Sequence, residues 1–173
     1  MRCGLLMVLG YALSYSSFSA ALNGDINLYG DLVEEPCSLS MSSSPQTVKF
    51  GNVIKNTLYL HQRTVSYPFS ITLEECDISL GNLVEVSFNG AEDKLLHGLI
   101  ATTGTAKGIA IGLETASGKP IEINKTIKTY ELHDGLQKLK FSAYIKSPDS
   151  VIENESIIEG DFSANVSFTL NYP

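Results

Sequence analysis

Apolar and polar residues alternate without a break over residues 160–172. Phe162, Ala164, Val166, Phe168, Leu170 and Tyr172 fall on one face of an extended chain. Asp161, Ser163, Asn165, Ser167, Thr169 and Asn171 fall on the other. Period two over this length predicts a β-strand with one buried face, starting at Gly160. A strand this regular needs neighbours on both sides, and the sequence supplies no later strand to be one of them.

Shorter alternating runs recur upstream. Ile26, Leu28, Gly30 and Leu32 are in phase within residues 25–33. Residues 37–41 and 47–54 follow, then Tyr67, Phe69, Ile71 and Leu73 up to Cys76. Residues 83–88 end at Asn89-Gly90, a strong turn signal. Ile109, Ile111 and Leu113 alternate before Ser117-Gly118-Lys119-Pro120, and Leu139, Phe141, Ala143 and Ile145 before Ser147-Pro148. Only residues 55–63 and 93–99 could hold a turn or two of helix. Many short strands with Gly, Pro and Asn punctuation predict an all-β, immunoglobulin-like β-sandwich. A closed barrel is the alternative, but it needs even strand lengths and these runs vary. Gly30 is unusual inside a strand, where glycine often marks close approach of another backbone.

The length of 173 residues suggests one domain. Charged residues at 18% and hydrophobic residues at 43% indicate a globular chain. A net charge of −7 argues against nucleic acid as a partner, because phosphate binding needs clustered Lys and Arg. Residues 1–21 read as a signal peptide. Arg2 supplies the positive start, Leu5 to Leu13 is mostly apolar, and Ser19-Ala20-Ala21 offers a small-residue cleavage site. Cys3 leaves with that segment. The even remainder, Cys37 and Cys76, points to one disulfide in an exported protein.

Catalytic and metal patterns are missing from the sequence. His61, His97 and His133 are far apart and share no motif with Asp or Ser. Two cysteines without C-x-x-C spacing cannot complete four ligands, so no metal or other cofactor is expected. Glu74-Glu75 would point to opposite faces of a strand rather than form a carboxylate pair. Asn124, Asn154 and Asn165 sit in N-x-S/T patterns, the last inside the terminal strand.

Taken together, these parts resemble the pilin subunits of chaperone–usher pili. The resemblance rests on the N-terminal run with its embedded Gly30, on Pro36-Cys37, and on Cys76 closing a strand. It also rests on the mid-chain run 107–113, on Gly160 fourteenth from the C-terminus, and on penultimate Tyr172. The stretch 30–37 looks most like minor, adaptor-type pilins.

The resemblance implies an incomplete immunoglobulin-like sandwich that lacks its final strand and is completed by donor-strand exchange. It implies a signal peptide at 1–21, a donor-strand extension at 22–34 and a pilin domain at 35–173. Ile26, Leu28, Gly30 and Leu32 would form the donor strand. Gly160, Phe162, Ala164, Val166, Phe168, Leu170 and Tyr172 would form the groove and the chaperone-binding strand. The implied partners are neighbouring pilus subunits, a periplasmic chaperone and an outer-membrane usher, with a host-cell receptor involved only indirectly. Export through the periplasm to the cell surface and a structural, non-enzymatic role in adhesion follow. The competing readings are a tip adhesin of the same system and a secreted enzyme or small-molecule binder.

Overall fold

The computed structural model describes residues 34–44 and 46–173. The targeting segment and the run holding Ile26, Leu28, Gly30 and Leu32 lie outside the described residues.

In chain order the elements are β1 (Ser38–Leu39), a 3-10 turn (Met41–Ser43), α1 (Lys55–His61), β2 (Tyr67–Cys76) and β3 (Leu83–Gly90). Then come β4 (Ile100–Ala101), β5 (Thr103–Gly104), β6 (Ala110–Thr115), β7 (Pro120–Ile121) and β8 (Ile127–Glu131). The last are β9 (Gly135–Lys146), α2 (Asp149–Glu153), β10 (Phe162–Ser163) and β11 (Val166–Asn171). One antiparallel sheet runs β1-β2-β9-β6-β4, with β7 also on β6. A second runs β11-β3-β8, and β10 pairs with β5 in a short ribbon.

Alternation sets which residues meet between the sheets. Val84, Val86 and Phe88 of β3 are buried, as are Ile71 and Leu73 of β2 and Leu139, Phe141, Ala143 and Ile145 of β9. The Phe88 ring meets Phe141 edge-on at 5.1 Å between centroids. The architecture is the sandwich expected from the sequence.

The strand β6 is buried on both faces, as is the stretch of β9 paired with it, Ala143–Ile145. Ile111 and Leu113 join the core. Glu114 is buried, and its carboxylate accepts hydrogen bonds from the Arg63 guanidinium at 3.1 Å and from the Ser66 hydroxyl. Arg63 in turn lies 3.6 Å from the centroid of the Tyr144 ring. Pairing and a second hydrogen bond offset the desolvation of this carboxylate.

Several expectations need correction. Asn89 and Gly90 are no turn; they are the last residues of β3, opposite Ser167 and Val166. The Asn124 side chain bonds both polar groups of Gly90, its Oδ1 accepting from the N–H and its Nδ2 donating to the carbonyl, each at 3.0 Å. A Cβ at Gly90 would stand 3.2 Å from the Asn165 carbonyl oxygen, so glycine here permits close strand approach. Residues 93–99 form turns rather than helix. Asp93 Oδ1 accepts from the N–H groups of both Leu95 and Leu96 at 2.9 Å, a local bond that competes with helix.

The helix α2 was not foreseen, because Ser147-Pro148 reads as a breaker. Pro148 instead sits at the N-cap, extended at φ −66° and ψ 148°, just before the helix begins at Asp149, so its missing N–H costs no helical bond. Glu74 and Glu75 are both exposed. A bulge with Glu75 at φ 55° shifts the register between Leu73 and Cys76 and turns Cys76 inward. Finally, the terminal strand is not continuous. It pairs with β5 as β10, breaks at Ala164-Asn165, and pairs with β3 as β11.

Candidate functional site: an unfilled strand position

The strand β11 is hydrogen-bonded on one side only. Residues 166–171 pair in register with residues 85–90 of β3, and no strand among the described residues takes the other edge. Across a gap runs the segment 46–50. Its burial alternates, with Val48 and Phe50 half-buried and Thr47 and Lys49 exposed, yet it belongs to no ladder among the described residues. The Gln46 side chain ties its start to the Ser70 carbonyl at 3.1 Å. The Phe50 ring packs on Tyr67 at 5.0 Å and on Phe162 at 6.0 Å.

Between these two rims lies a groove of about 780 Å³. Core residues Phe69, Ile71, Phe88, Ile100 and Ile111 form its floor, and no charged side chain lines it. The rim residues Phe162, Ala164 and Phe168 pack on the core but remain only partly buried, and Val166 is 38% exposed. Apolar side chains and unpaired backbone groups therefore face the same opening. In water that combination is a template for pairing with another extended segment.

Most of the terminal residues singled out in the sequence come together here. Phe162, Ala164, Val166 and Phe168 line the groove. Leu170 and Tyr172 continue the same face, half-buried against the core beyond the groove lining. Burial, and secondarily the Glu35 carboxylate, push the Tyr172 hydroxyl above its ordinary pKa.

Gly160 is not part of the lining. Its φ is +155°, and a Cβ there would run into Thr105 Oγ1 and stand 2.8 Å from the Ala106 nitrogen. Next to it, the Asp161 carbonyl accepts from the N–H groups of Thr105 and Ala106 at 3.0 and 3.1 Å, and the Asp161 N–H donates to Thr105 Oγ1 at 3.0 Å. Gly160 thus lets the chain dock before it becomes the rim.

Cys37 and Cys76 form a disulfide. It joins the entry of β1 to the end of β2, where the Asp77 N–H also donates to the Pro36 carbonyl at 2.8 Å. His61, His97 and His133 are all exposed. Sequence reasoning missed the opposite rim and the floor. The alternation of Val48 and Phe50 was visible, but alternation does not reveal whether a strand has a partner.

The geometry defines a class: a β-sandwich in which, among the described residues, one strand edge beside an apolar groove has no partner strand. The sequence profile described as "Fimbrial protein" matches residues 26–173, and the chain belongs to that family. It is 32% identical over 173 residues to the Major MR/P fimbria protein of Proteus mirabilis (strain HI4320), covering 97% of each chain. Its fold is similar to the P pilus rod subunit PapA, with a TM-score of 0.69 and 29% identity, covering 80% of this chain and 100% of that one. A subunit from a chaperone–usher pilus structure concerned with rod uncoiling gives a TM-score of 0.70 at 27% identity, over 91% of this chain and 100% of that one. The protein is a structural pilus subunit of the cell surface that assembles with other pilin subunits. Among the described residues, no helix is long and apolar enough to cross a membrane.

Proposed function

We propose that the groove is filled by residues 22–34 of a neighbouring subunit. The observation that carries this reading is the pair of rims above an apolar floor: the segment 46–50, in no ladder among the described residues, and the strands within 162–171, each paired on one edge only. A donor strand satisfies both at once. Its backbone bonds to the edges, and Ile26, Leu28 and Leu32 enter the groove. Each of these side chains contributes on the order of 1.5–3 kcal/mol if fully buried, less the cost of ordering the strand. Gly30 sits where the groove is too shallow for a side chain. Before assembly a periplasmic chaperone covers the same site, reading Phe162, Ala164, Val166, Phe168, Leu170 and Tyr172, and an outer-membrane usher receives the subunit for exchange. Residues 1–21 are removed on export, and 35–173 form the pilin domain.

The test is to add a synthetic peptide of residues 22–34 to the mature subunit and record thermal unfolding. A rise in Tm that is lost with a bulky residue at position 30 supports the reading. No rise with this peptide or with the extension of any other subunit of the same pilus refutes it. The likeness of the stretch 30–37 to minor, adaptor-type pilins supports an adaptor position for this subunit. Electron microscopy of cells lacking the gene checks this: short or bald-tipped fibres are expected, and absence of all fibres would make it the rod subunit.

A further inference from the structure

The sandwich has a second open seam, away from the groove. The strand β6 leaves β9 after Thr115 pairs with Phe141, so residues 138–140 keep only β2 as a neighbour. The strand β8 pairs with β3 alone among the described residues. Between these free edges lies an open surface depression of about 490 Å³.

Its lining is one-signed. Lys119, Lys128, Lys138 and Lys140 border it, and no Asp or Glu does. These are four of the twelve basic residues in a chain of net charge −7. None of the four ammonium groups has an ion-pair or hydrogen-bond partner among the described residues. Lys138 and Lys140 share one face of β9, so their charges repel without compensation.

A second observation is independent of the charges. Tyr130 lines the same depression, and its hydroxyl is the one buried side-chain polar atom without a hydrogen-bond partner among the described residues. Such an atom is costly to leave unmet. As a phenol it holds its proton at neutral pH, and burial pushes its pKa further up. Thr115, tied to Ser117 by a hydroxyl–hydroxyl bond at 2.9 Å, adds a further polar group at the rim.

We propose that this seam binds an oxyanion-bearing saccharide unit, carrying a sulfate or carboxylate group, among the four lysines with the Tyr130 hydroxyl as a donor. The volume of the depression suits one or two sugar rings, and the surface location exposes the seam to extracellular polysaccharide. The flexible lysine side chains are the part of the lining that moves to admit the ligand to the withdrawn hydroxyl.

The test uses the exported chain, purified with whatever proteins accompany it, and isothermal titration calorimetry. The probes are a heparin-derived hexasaccharide for sulfate, sialyllactose for carboxylate, neutral lactose, and inorganic phosphate as competitor. At least one acidic sugar is expected to bind, more weakly as salt rises, with phosphate competing and lactose silent. Changing Lys128, Lys138 and Lys140 together to Ser should weaken binding roughly tenfold or more. Tyr130→Phe should weaken it about fivefold while leaving Tm unchanged or raised, since the unmet hydroxyl is gone. Lys94→Ser, at an exposed site elsewhere, should change nothing. The proposal fails if neither acidic sugar binds, if lactose binds equally, or if either the triple variant or Tyr130→Phe retains full affinity. Loss of association between subunits in the triple variant, without sugar binding in the parent, would overturn it and assign the seam to an acidic segment of another copy.

Discussion

Replacing Gly160 with alanine tests how the groove rim is set. The backbone at φ +155° is one that L-residues rarely adopt, which costs about 1–3 kcal/mol. The new Cβ would also overlap Thr105 Oγ1 and crowd the Ala106 nitrogen, so the chain must move away. That movement stretches the three bonds joining Asp161 to Thr105 and Ala106, each about 1 kcal/mol net. With partial relaxation, the expected loss is about 4 kcal/mol. Guanidinium unfolding of the mature subunit bound to the 22–34 peptide measures it. At a slope of about 4 kcal/mol per molar, the midpoint should fall by about 1 M. Peptide affinity should fall as well, because Phe162 follows two residues later and lines the groove. Adding Thr105→Ala removes the overlap with Oγ1 but keeps the residue-105 Cβ at 2.9 Å and the Ala106 nitrogen at 2.8 Å, and it deletes the acceptor of the Asp161 N–H, so it should recover only part of the loss. A midpoint unchanged within error in Gly160→Ala would show that the rim is not anchored here.

Further outcomes follow from other contacts. Reducing Cys37–Cys76, 39 residues apart, should cost about 4 kcal/mol in the chain-entropy description, read as a lower Tm in the Cys37→Ser/Cys76→Ser variant. Arg63→Ala strands the buried Glu114 carboxylate with only Ser66, and strips the guanidinium from Tyr144. The half-exposed arginine discounts the penalty to about 2 kcal/mol, and Glu114→Gln in the same background should regain part of it in thermal melts. Burial raises the pKa of Tyr130 and Tyr144, as it does for Tyr172. The unfolded chain therefore releases these protons first, and the stability present below pH about 10 declines as pH rises past it. Alkaline unfolding should begin later in Tyr→Phe variants; an identical profile in all three would refute the assignment.

Much of the fold was legible because alternation reports burial directly. Residues 67–76, 83–88 and 139–145 read as strands with one inner face and are so. What alternation could not report is pairing. Residues 162–171 look like one strand, but the hydrogen bonds change partner at Ala164-Asn165. Asn89-Gly90 carries the chemistry of a turn, yet the long-range bonds from Asn124 and the approach of Asn165 make it a strand end. The apolar rim of the site was visible from Phe162 to Phe168. Its counterpart at Val48 and Phe50 was not, since a missing neighbour leaves no mark on the residues beside the gap. The lysine seam was equally hidden, because Lys119, Lys128 and the β9 pair are brought together only by the sheet.

The two banks of the groove come from opposite ends of the domain, one near residue 48 and the other near residue 168. The acceptor therefore does not exist on a chain that is still emerging through a translocation pore. Whatever recognises it must wait until residues 162–168 have arrived beside 46–50, and a product cut between the two never presents a landing place. The groove thus reports that both of its banks have been delivered.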